Sequence, residues 1–207
     1  MKNIIITGTG RNGKTTLAKK INEELRCFVI NLDKLMTAFD RAYPQLDIRI
    51  AWDYWRATAN ISPFIGHYLG LLSTNDGYAD KLNLRKHAVE GNRFVLEGSH
   101  FDFDKILPIL NTYGIGELKD KFILIGLVQK EKTAQEFFDD LRRYDTEDDW
   151  TYSLADDYLM ELCEIFVSHN QEMLDCFVKY GFTVYDTSGE REHVFNKIID
   201  DIKSGIV

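Results

Sequence analysis

A glycine-rich turn near the start of the chain carries the residues with the clearest chemistry. Gly8, Gly10 and Gly13 let a backbone fold closely around an anion, because no Cβ stands in the way. The N–H groups of such a turn converge on the anion. Lys14 and Thr15 follow directly, and at this point a lysine reaches the β- and γ-phosphates of a nucleotide while the hydroxyl ligates Mg²⁺. The turn therefore predicts a site for a nucleoside triphosphate and its metal ion.

The segments on either side of this turn are those that the chemistry requires. Residues 4–6 are an apolar β-branched run, which predicts a buried parallel strand. Residues 15–25 have their leucines and isoleucine on one helical face, and the positive end of that helix would point at the phosphates. Strand, turn and helix match G-x-x-x-x-G-K-[ST], the P-loop or Walker A motif. The predicted nucleotide-binding residues of the motif are Gly8, Thr9, Gly10, Arg11, Asn12, Gly13, Lys14, Thr15 and Thr16.

Five apolar segments that alternate with helical ones predict a doubly wound α/β fold around a five-stranded parallel sheet. The strands are expected at residues 4–6, 27–30, 94–98, 122–128 and 182–185. Helices are expected at residues 34–42, 103–113, 130–144, 151–180 and 190–203, with further helical segments between residues 46 and 90. Because carboxyl ends of parallel strands share one edge, Asp33, Glu97 and the turn at residues 186–189 are expected on the P-loop side.

Composition narrows the class of protein. The chain has 207 residues, 44% hydrophobic and 28% charged, which suits a single domain with a sizeable core. A net charge of −8 without a basic stripe argues against a nucleic-acid partner. Three scattered cysteines suit neither a disulfide framework nor a zinc site. We see no signal-peptide pattern and no apolar run that could span a bilayer, so a cytoplasmic protein without a membrane partner is expected; its oligomeric state stays open.

The order of these pieces resembles the P-loop kinases of nucleosides, nucleotides and small metabolites, the adenylate-kinase-like and shikimate- or gluconate-kinase-like group. The matching pieces are GTGRNGKTT, Asp33 after the second strand, VLEG ending the third and DTSG after the fifth. The resemblance implies strand order 2-3-1-4-5, ATP with Mg²⁺ as donor and a small-molecule phosphoryl acceptor. It also implies an acceptor-binding helical insertion at about residues 43–92, a lid at about residues 141–151, and Thr187 and Ser188 beside the nucleotide base.

Two carboxylates follow strands and have competing interpretations. Asp33 suits a catalytic base that accepts the proton of an acceptor hydroxyl, or else the N-cap of a helix beginning at Lys34. Glu97 suits a Walker-B-like carboxylate that holds Mg²⁺ together with Thr15, or else a polar residue that simply ends a strand. A phosphate acceptor is already ionised and needs no base, so Asp33 favours a hydroxyl acceptor such as a nucleoside or a sugar-like metabolite.

Two arginines precede an acidic loop at residues 145–149. Arg142 and Arg143 are candidates for closing over the transferring phosphoryl group, and the alternative is an ion pair with Asp139 or Asp140 at helical spacing. The acidic loop has no apolar anchor and suits a mobile lid, in which hydrogen exchange slows when ATP and acceptor are both bound.

The acceptor side offers weaker candidates. Arg49 and Arg56 suit an anionic acceptor, and His100 is the one histidine near the expected cleft. Trp52 and Trp55 share an apolar stripe, which favours core packing over stacking on a ligand. Residues 97–100 read Glu-Gly-Ser-His where many nucleotide kinases carry an Asp-Gly and Arg run, which argues against a nucleoside monophosphate acceptor.

Other functions fit less well. DTSG at residues 186–189 imitates a GTPase signature, and NKII at residues 196–199 lacks the guanine-reading Asp and lies in the wrong place. A regulatory module that binds ATP and transfers nothing has no need of Asp33 or of an arginine-bearing lid. The sequence therefore favours an ATP-dependent small-molecule kinase, with a non-catalytic ATP-binding module or a nucleoside monophosphate kinase as alternatives.

Overall fold

The computed structural model describes residues 2–50, 53–73 and 93–207. Five strands in these ranges form one parallel sheet in the order β2-β3-β1-β4-β5, which confirms the predicted fold class. The strands are β1 Asn3–Gly8, β2 Phe28–Asn31, β3 Phe94–Glu97, β4 Phe122–Val128 and β5 Thr183–Asp186. β3 pairs with both β1 and β2, and Leu96 stands opposite Ile5 and Ile30. All residues of β3 and β4 are buried, as continuous apolar runs in a parallel sheet require.

The helices described are α1 Lys14–Leu25, α2 Leu32–Ala42, α3 Tyr54–Ser73, α4 Phe103–Thr112, α5 Leu118–Lys121, α6 Ala134–Tyr144, α7 Asp156–Tyr180 and α8 Arg191–Ser204. A 3₁₀ turn occupies Pro44–Leu46. None of these helices is long and apolar enough to cross a membrane. The helix expected at residues 77–90 lies outside the described residues, and so does Trp52.

Two helices begin later in the chain than predicted. α6 begins at Ala134 instead of residue 130, because Thr133 and Glu136 form a capping box: each side chain accepts a hydrogen bond from the other's backbone N–H. α7 begins at Asp156 instead of residue 151. The sequence also predicts a break or a kink at Pro63, and α3 runs through this residue without a break.

The described chain falls into two compact units. The first comprises the described residues within Met1–Thr7 and Lys14–Ile125, together with Val207; the second comprises Gly8–Gly13 and Gly126–Ile206. In the first unit, Gly66 and Gly70 of α3 lie against Ile109 and Tyr113, so that the backbone of α3 closely approaches these side chains. In the second unit, α6 and α7 enclose a core formed by Phe137, Leu141, Leu159, Cys163 and Phe166.

The buried face of α7 differs from the predicted one. From the sequence alone, one side of this helix carries a mostly apolar stripe at helical spacing, formed by Tyr158, Leu162, Ile165, Phe166, His169, Met173 and Phe177. Tyr158 and Ile165 are instead exposed, and the buried residues are Leu159, Cys163, Phe166, Asn170 and Phe177. Phe166 and Phe177 belong to both stripes. The difference is that Leu159 and Cys163, which pack with Phe137 and Leu141 of α6, face inward instead of Tyr158 and Ile165.

Candidate functional site

The P-loop turn in the second unit is tightly enclosed. A Cβ on Gly8 would lie 2.2 Å from the carbonyl oxygen of Leu127, and one on Gly10 would lie 2.5 Å from the ring of Phe166. Arg11 has a φ of 59° and Gly13 a φ of 91°, so the backbone turns left-handed twice within three residues. The first two glycines are needed for close approach, and the turn has the αL curvature that makes successive N–H groups converge.

Side chains outside the motif form hydrogen bonds with backbone carbonyl oxygens of this turn. Thr187 is fully buried, and its hydroxyl lies 3.1 Å from the carbonyl oxygen of Asn12 and 3.2 Å from that of Val128. Gln129 donates its side-chain N–H to the carbonyl oxygen of Arg11 at 3.2 Å. The hydroxyl of Ser188 donates to Asp186 at 2.6 Å. Sequence reasoning placed Thr187 and Ser188 at the nucleotide base, and it missed Gln129 because a lone polar residue after a strand carries no motif.

Lys14, Thr15 and Thr16 begin α1 in the first unit. Lys14 is only 7% exposed, and both threonines are exposed. The Thr15 hydroxyl donates to Oε1 of Glu97 at 3.1 Å, and the side-chain amide of Asn31 donates to the same oxygen. Burial raises the pKa of Glu97, whereas the Asn31 hydrogen bond and the charge of Lys14 lower it. The two residues predicted as Mg²⁺ ligands are therefore in direct contact beside a lysine.

Asp33 lies within α2, which excludes the alternative interpretation of this residue as the N-cap. α2 begins at Leu32, and its N-cap is Asn31, whose Oδ1 accepts from the backbone N–H of Lys34 at 2.7 Å. Asp33 occupies the first turn instead, and its Oδ1 is buried with no hydrogen-bond partner among the described residues. The capping role is thereby excluded, and a buried carboxylate oxygen remains to be satisfied.

His100 is buried against α3. Its Nδ1 lies 2.8 Å from the hydroxyl of Thr58, and its ring lies against that of Tyr54, tilted by 36° with 4.5 Å between centroids. Burial lowers the pKa of His100 to about 4, against an opposing effect of Asp33 and with a further lowering by Lys14. The imidazole is therefore neutral at pH 7.

Comparison with known proteins agrees with the observed topology. No protein-family model matches the chain, and no curated protein matches its sequence. A shikimate kinase from Bacteroides thetaiotaomicron is similar over 99% of this chain and 98% of its own, with a TM-score of 0.50 and 14% identity. A gluconokinase from Sinorhizobium meliloti 1021 is similar over 99% of this chain and 97% of its own, with a TM-score of 0.51 and 12% identity.

The chain has the P-loop kinase fold. At 12–14% identity the likeness is one of fold alone.

In this P-loop kinase fold the acidic segment after α6 is tied to the P-loop turn. The guanidinium of Arg11 donates to Asp149 at 2.6 Å and to Asp145, and Asp145 also accepts from the buried hydroxyl of Thr151. The backbone N–H of Thr146 and the Arg11 guanidinium hold the pKa of Asp149 below its usual range. The predicted lid therefore has ionic anchors, which the sequence pattern did not reveal.

The ionic anchors lead to a prediction about motion. Asp149→Asn keeps an acceptor for Thr146 but removes the charge that faces Arg11. We expect amide exchange in residues 145–151 to become about two- to five-fold faster, since a partly exposed ion pair contributes up to about 1 kcal/mol to local opening. Mass-spectrometric hydrogen exchange measures this, and Asp148→Asn, at an exposed neighbouring position, is the matched control. Equal exchange in the two variants would show that the ion pair does not anchor the segment.

The two candidate arginines of this segment differ in their surroundings. Arg142 donates to Asp156 at 2.6 Å and to the carbonyl oxygens of Tyr152 and Leu154, so it fastens the chain that leads into α7. Arg143 is exposed and lies over the ring of Tyr144. The alternative interpretation paired these arginines with Asp139 or Asp140, but Asp139 accepts from Gln135, and Asp140 pairs with Lys132.

The basic candidates on the acceptor side are paired with acids. Arg49 lies 3.3 Å from Asp40, and Arg56 forms an ion pair with Asp47. Trp55 is 57% exposed, so its predicted core packing was wrong. The ring of the neighbouring Tyr54 lies against that of His100, and the Tyr54 hydroxyl donates to the carbonyl oxygen of Ser99 at 2.7 Å. Sequence reasoning missed Thr58 and Asn31, because a threonine within a helix and an asparagine at a strand end have no distinctive spacing.

Proposed function

We propose that this protein is an ATP-dependent phosphotransferase that moves the γ-phosphoryl group of ATP to a hydroxyl of a small metabolite, such as a nucleoside or a sugar-like compound. The observation that carries the proposal is the buried, unpartnered Oδ1 of Asp33, in the same unit as Lys14, Thr15 and Glu97. A P-loop alone accounts for nucleotide binding. A carboxylate oxygen kept from water is what an attacking hydroxyl would need.

The P-loop residues bind and orient the donor in this proposal. Backbone N–H groups of the turn at residues 8–13 hold the phosphate oxygens, and Lys14 places a positive charge beside the β- and γ-phosphates. Because Lys14 is almost fully buried, its charge is weakly screened and acts strongly on the charge that develops during transfer.

The residues at the start of α1 and the end of β3 fit a magnesium ion. The Thr15 hydroxyl and Glu97 Oε1 are hard oxygen donors 3.1 Å apart, and Mg²⁺ takes few protein ligands beside phosphates and water. The described residues contain no cluster of three His, Cys, Asp or Glu side chains that would hold a metal ion without a nucleotide. When bound, Mg²⁺ would neutralise charge on the β- and γ-phosphates. Asn31 keeps the Glu97 carboxylate oriented toward Thr15.

Asp33 performs the proton transfer. As the acceptor oxygen forms its bond to the γ-phosphorus, the bond from that phosphorus to the β–γ bridging oxygen breaks and ADP leaves with the electron pair. The proton of the acceptor hydroxyl passes to Asp33. The neutral imidazole of His100, held by Thr58, offers a hydrogen bond to the acceptor without adding charge. Arg143 is the arginine available to approach the phosphoryl group, since Arg142 fastens its own chain.

An acceptor screen tests this proposal. Purified protein with ATP and Mg²⁺ is offered nucleosides, sugars, nucleoside monophosphates and coenzyme precursors, and ADP release is followed with the Lys14→Ala variant as the background for contaminating kinases. We expect steady ADP release that requires an uncharged hydroxyl acceptor. ADP release that requires a nucleoside monophosphate would instead indicate a nucleoside monophosphate kinase. ATP binding with a flat screen would favour a regulatory module instead.

A further inference from the structure

The carbonyl oxygens of two successive peptide groups in the P-loop turn accept hydrogen bonds from buried side chains outside the turn. Gln129 donates through Nε2 to the carbonyl oxygen of Arg11 at 3.2 Å. Thr187 donates through Oγ1 to the carbonyl oxygen of Asn12 at 3.1 Å. Gln129 is 1% exposed and Thr187 is fully buried. Both residues belong to the second unit, as do Arg11 and Asn12.

Because a peptide group is planar, these hydrogen bonds also fix the direction of the N–H group that follows each carbonyl. In a trans peptide the carbonyl oxygen and the following N–H point in opposite directions. Fastening the carbonyl of Arg11 therefore directs the N–H of Asn12 to the opposite side, and fastening the carbonyl of Asn12 does the same for the N–H of Gly13. A flipped peptide would present a carbonyl oxygen to the phosphate, which repels it. The left-handed φ of Arg11 and of Gly13 makes both N–H groups part of one concave surface.

A further buried side chain keeps Gln129 in place. Asn170 of α7 donates to the carbonyl oxygen of Gln129 at 3.3 Å and accepts from its backbone N–H at 3.3 Å. The same Oδ1 accepts from the hydroxyl of Thr9 at 3.1 Å, so the asparagine also contacts the turn. Asn170 is 4% exposed on a face that is otherwise apolar. A buried amide at such a position is costly unless its hydrogen bonds are made, and all three lead to the turn or to the residue behind it.

We infer that Gln129 and Thr187, with Asn170 behind Gln129, are positioning residues that set the N–H groups of Asn12 and Gly13 toward the bound phosphate. The inference rests on the proposed function, because it assumes that this turn holds the phosphates of ATP. It assigns Thr187 to the orientation of the P-loop backbone instead of to recognition of the base. It also makes α7, which follows the acidic segment, part of the support of the phosphate site.

Two near-isosteric substitutions test it. Thr187→Val removes only the hydroxyl, and Gln129→Met removes the side-chain donor with little change of volume. We expect each variant to weaken the Kd for ATP with Mg²⁺ by about three- to ten-fold, the range that one lost hydrogen bond explains, with the double variant weaker than either. Isothermal titration calorimetry gives the Kd, and thermal melting gives Tm. Thr187→Ser retains the hydroxyl and should restore tight binding.

The control is Phe177→Leu, a buried substitution beneath Gly126 in the same unit and away from the turn. It should lower Tm as much as the two variants while the Kd for ATP stays at the wild-type value. A Kd within two-fold of wild type in both Thr187→Val and Gln129→Met, with Tm lowered as in Phe177→Leu, would overturn the inference and leave the proposed function intact. Wild-type protein that does not bind ATP would overturn both. Should one variant not fold, the other decides by the same criterion.

Discussion

Lys14→Ala is expected to lower turnover by about 10²- to 10³-fold, because removing one preorganised electrostatic contact from a phosphoryl-transfer site costs that much. Lys14 is almost fully buried at the start of α1, and its charge lowers the pKa of both Glu97 and His100. The loss should therefore fall mainly on kcat, measured as acceptor-dependent ADP release under saturating ATP.

Two variants control for this result. Lys14→Met keeps much of the aliphatic chain and should lose as much turnover as Lys14→Ala, which separates the role of the charge from packing. Lys19→Ala changes an exposed lysine on the same helix and should leave turnover unchanged. Circular dichroism verifies the fold of each. Unchanged turnover in a folded Lys14→Ala protein would contradict the phosphate-binding assignment of the whole turn.

Asp33→Asn is expected to lower turnover by about 10²-fold or more, since asparagine cannot accept the proton of the acceptor hydroxyl. The structure removes helix capping as a second explanation of the result. Asn31, not Asp33, caps α2, so the substitution leaves the cap intact. What it removes from the helix is a negative charge in the first turn, which contributes about 0.3–1 kcal/mol through the helix dipole. ATP affinity should stay at the wild-type value.

Asp157→Asn is the matched control for this variant. Asp157 is an exposed acid in the first turn of α7, so its replacement removes a comparable helix-dipole interaction. We expect similar small changes of Tm in the two variants, and lost turnover only in Asp33→Asn. Near-normal turnover in Asp33→Asn would exclude the catalytic base and reopen the case for a phosphate acceptor, which needs no base.

The local features of the site could be predicted because each is encoded by neighbouring residues. The strand, the glycine turn and the helix of the P-loop follow one another directly, and glycine, lysine and threonine are required there by type. The five strands could be predicted because strands buried on both faces read as continuous apolar runs. With parallel strands and alternating helices, few sheet orders remain, and the observed order is the one that the resemblance implied.

Competing local signals were decided only by tertiary contacts. Asn31 and Asp33 are both good helix caps by type, and α2 begins early because Asn31 reaches the N–H of Lys34 while its amide also serves Glu97. The two apolar stripes of α7 are equally plausible as sequence patterns. The inward one contains Leu159 and Cys163, which pack with Phe137 and Leu141 of α6, and no pattern within α7 can identify those partners.

The hydrogen bonds that hold the P-loop turn in position depend entirely on the tertiary structure. Gln129 lies 118 residues from Arg11 along the chain, and Asn170 lies 161 residues from Thr9. Arg11 is 134 residues from Asp145, its partner in the acidic segment. A hydrogen bond between such distant residues leaves no periodicity or spacing in the sequence. The residue types of the P-loop turn are therefore encoded locally, while the groups that hold the turn in position are brought together only when the chain folds.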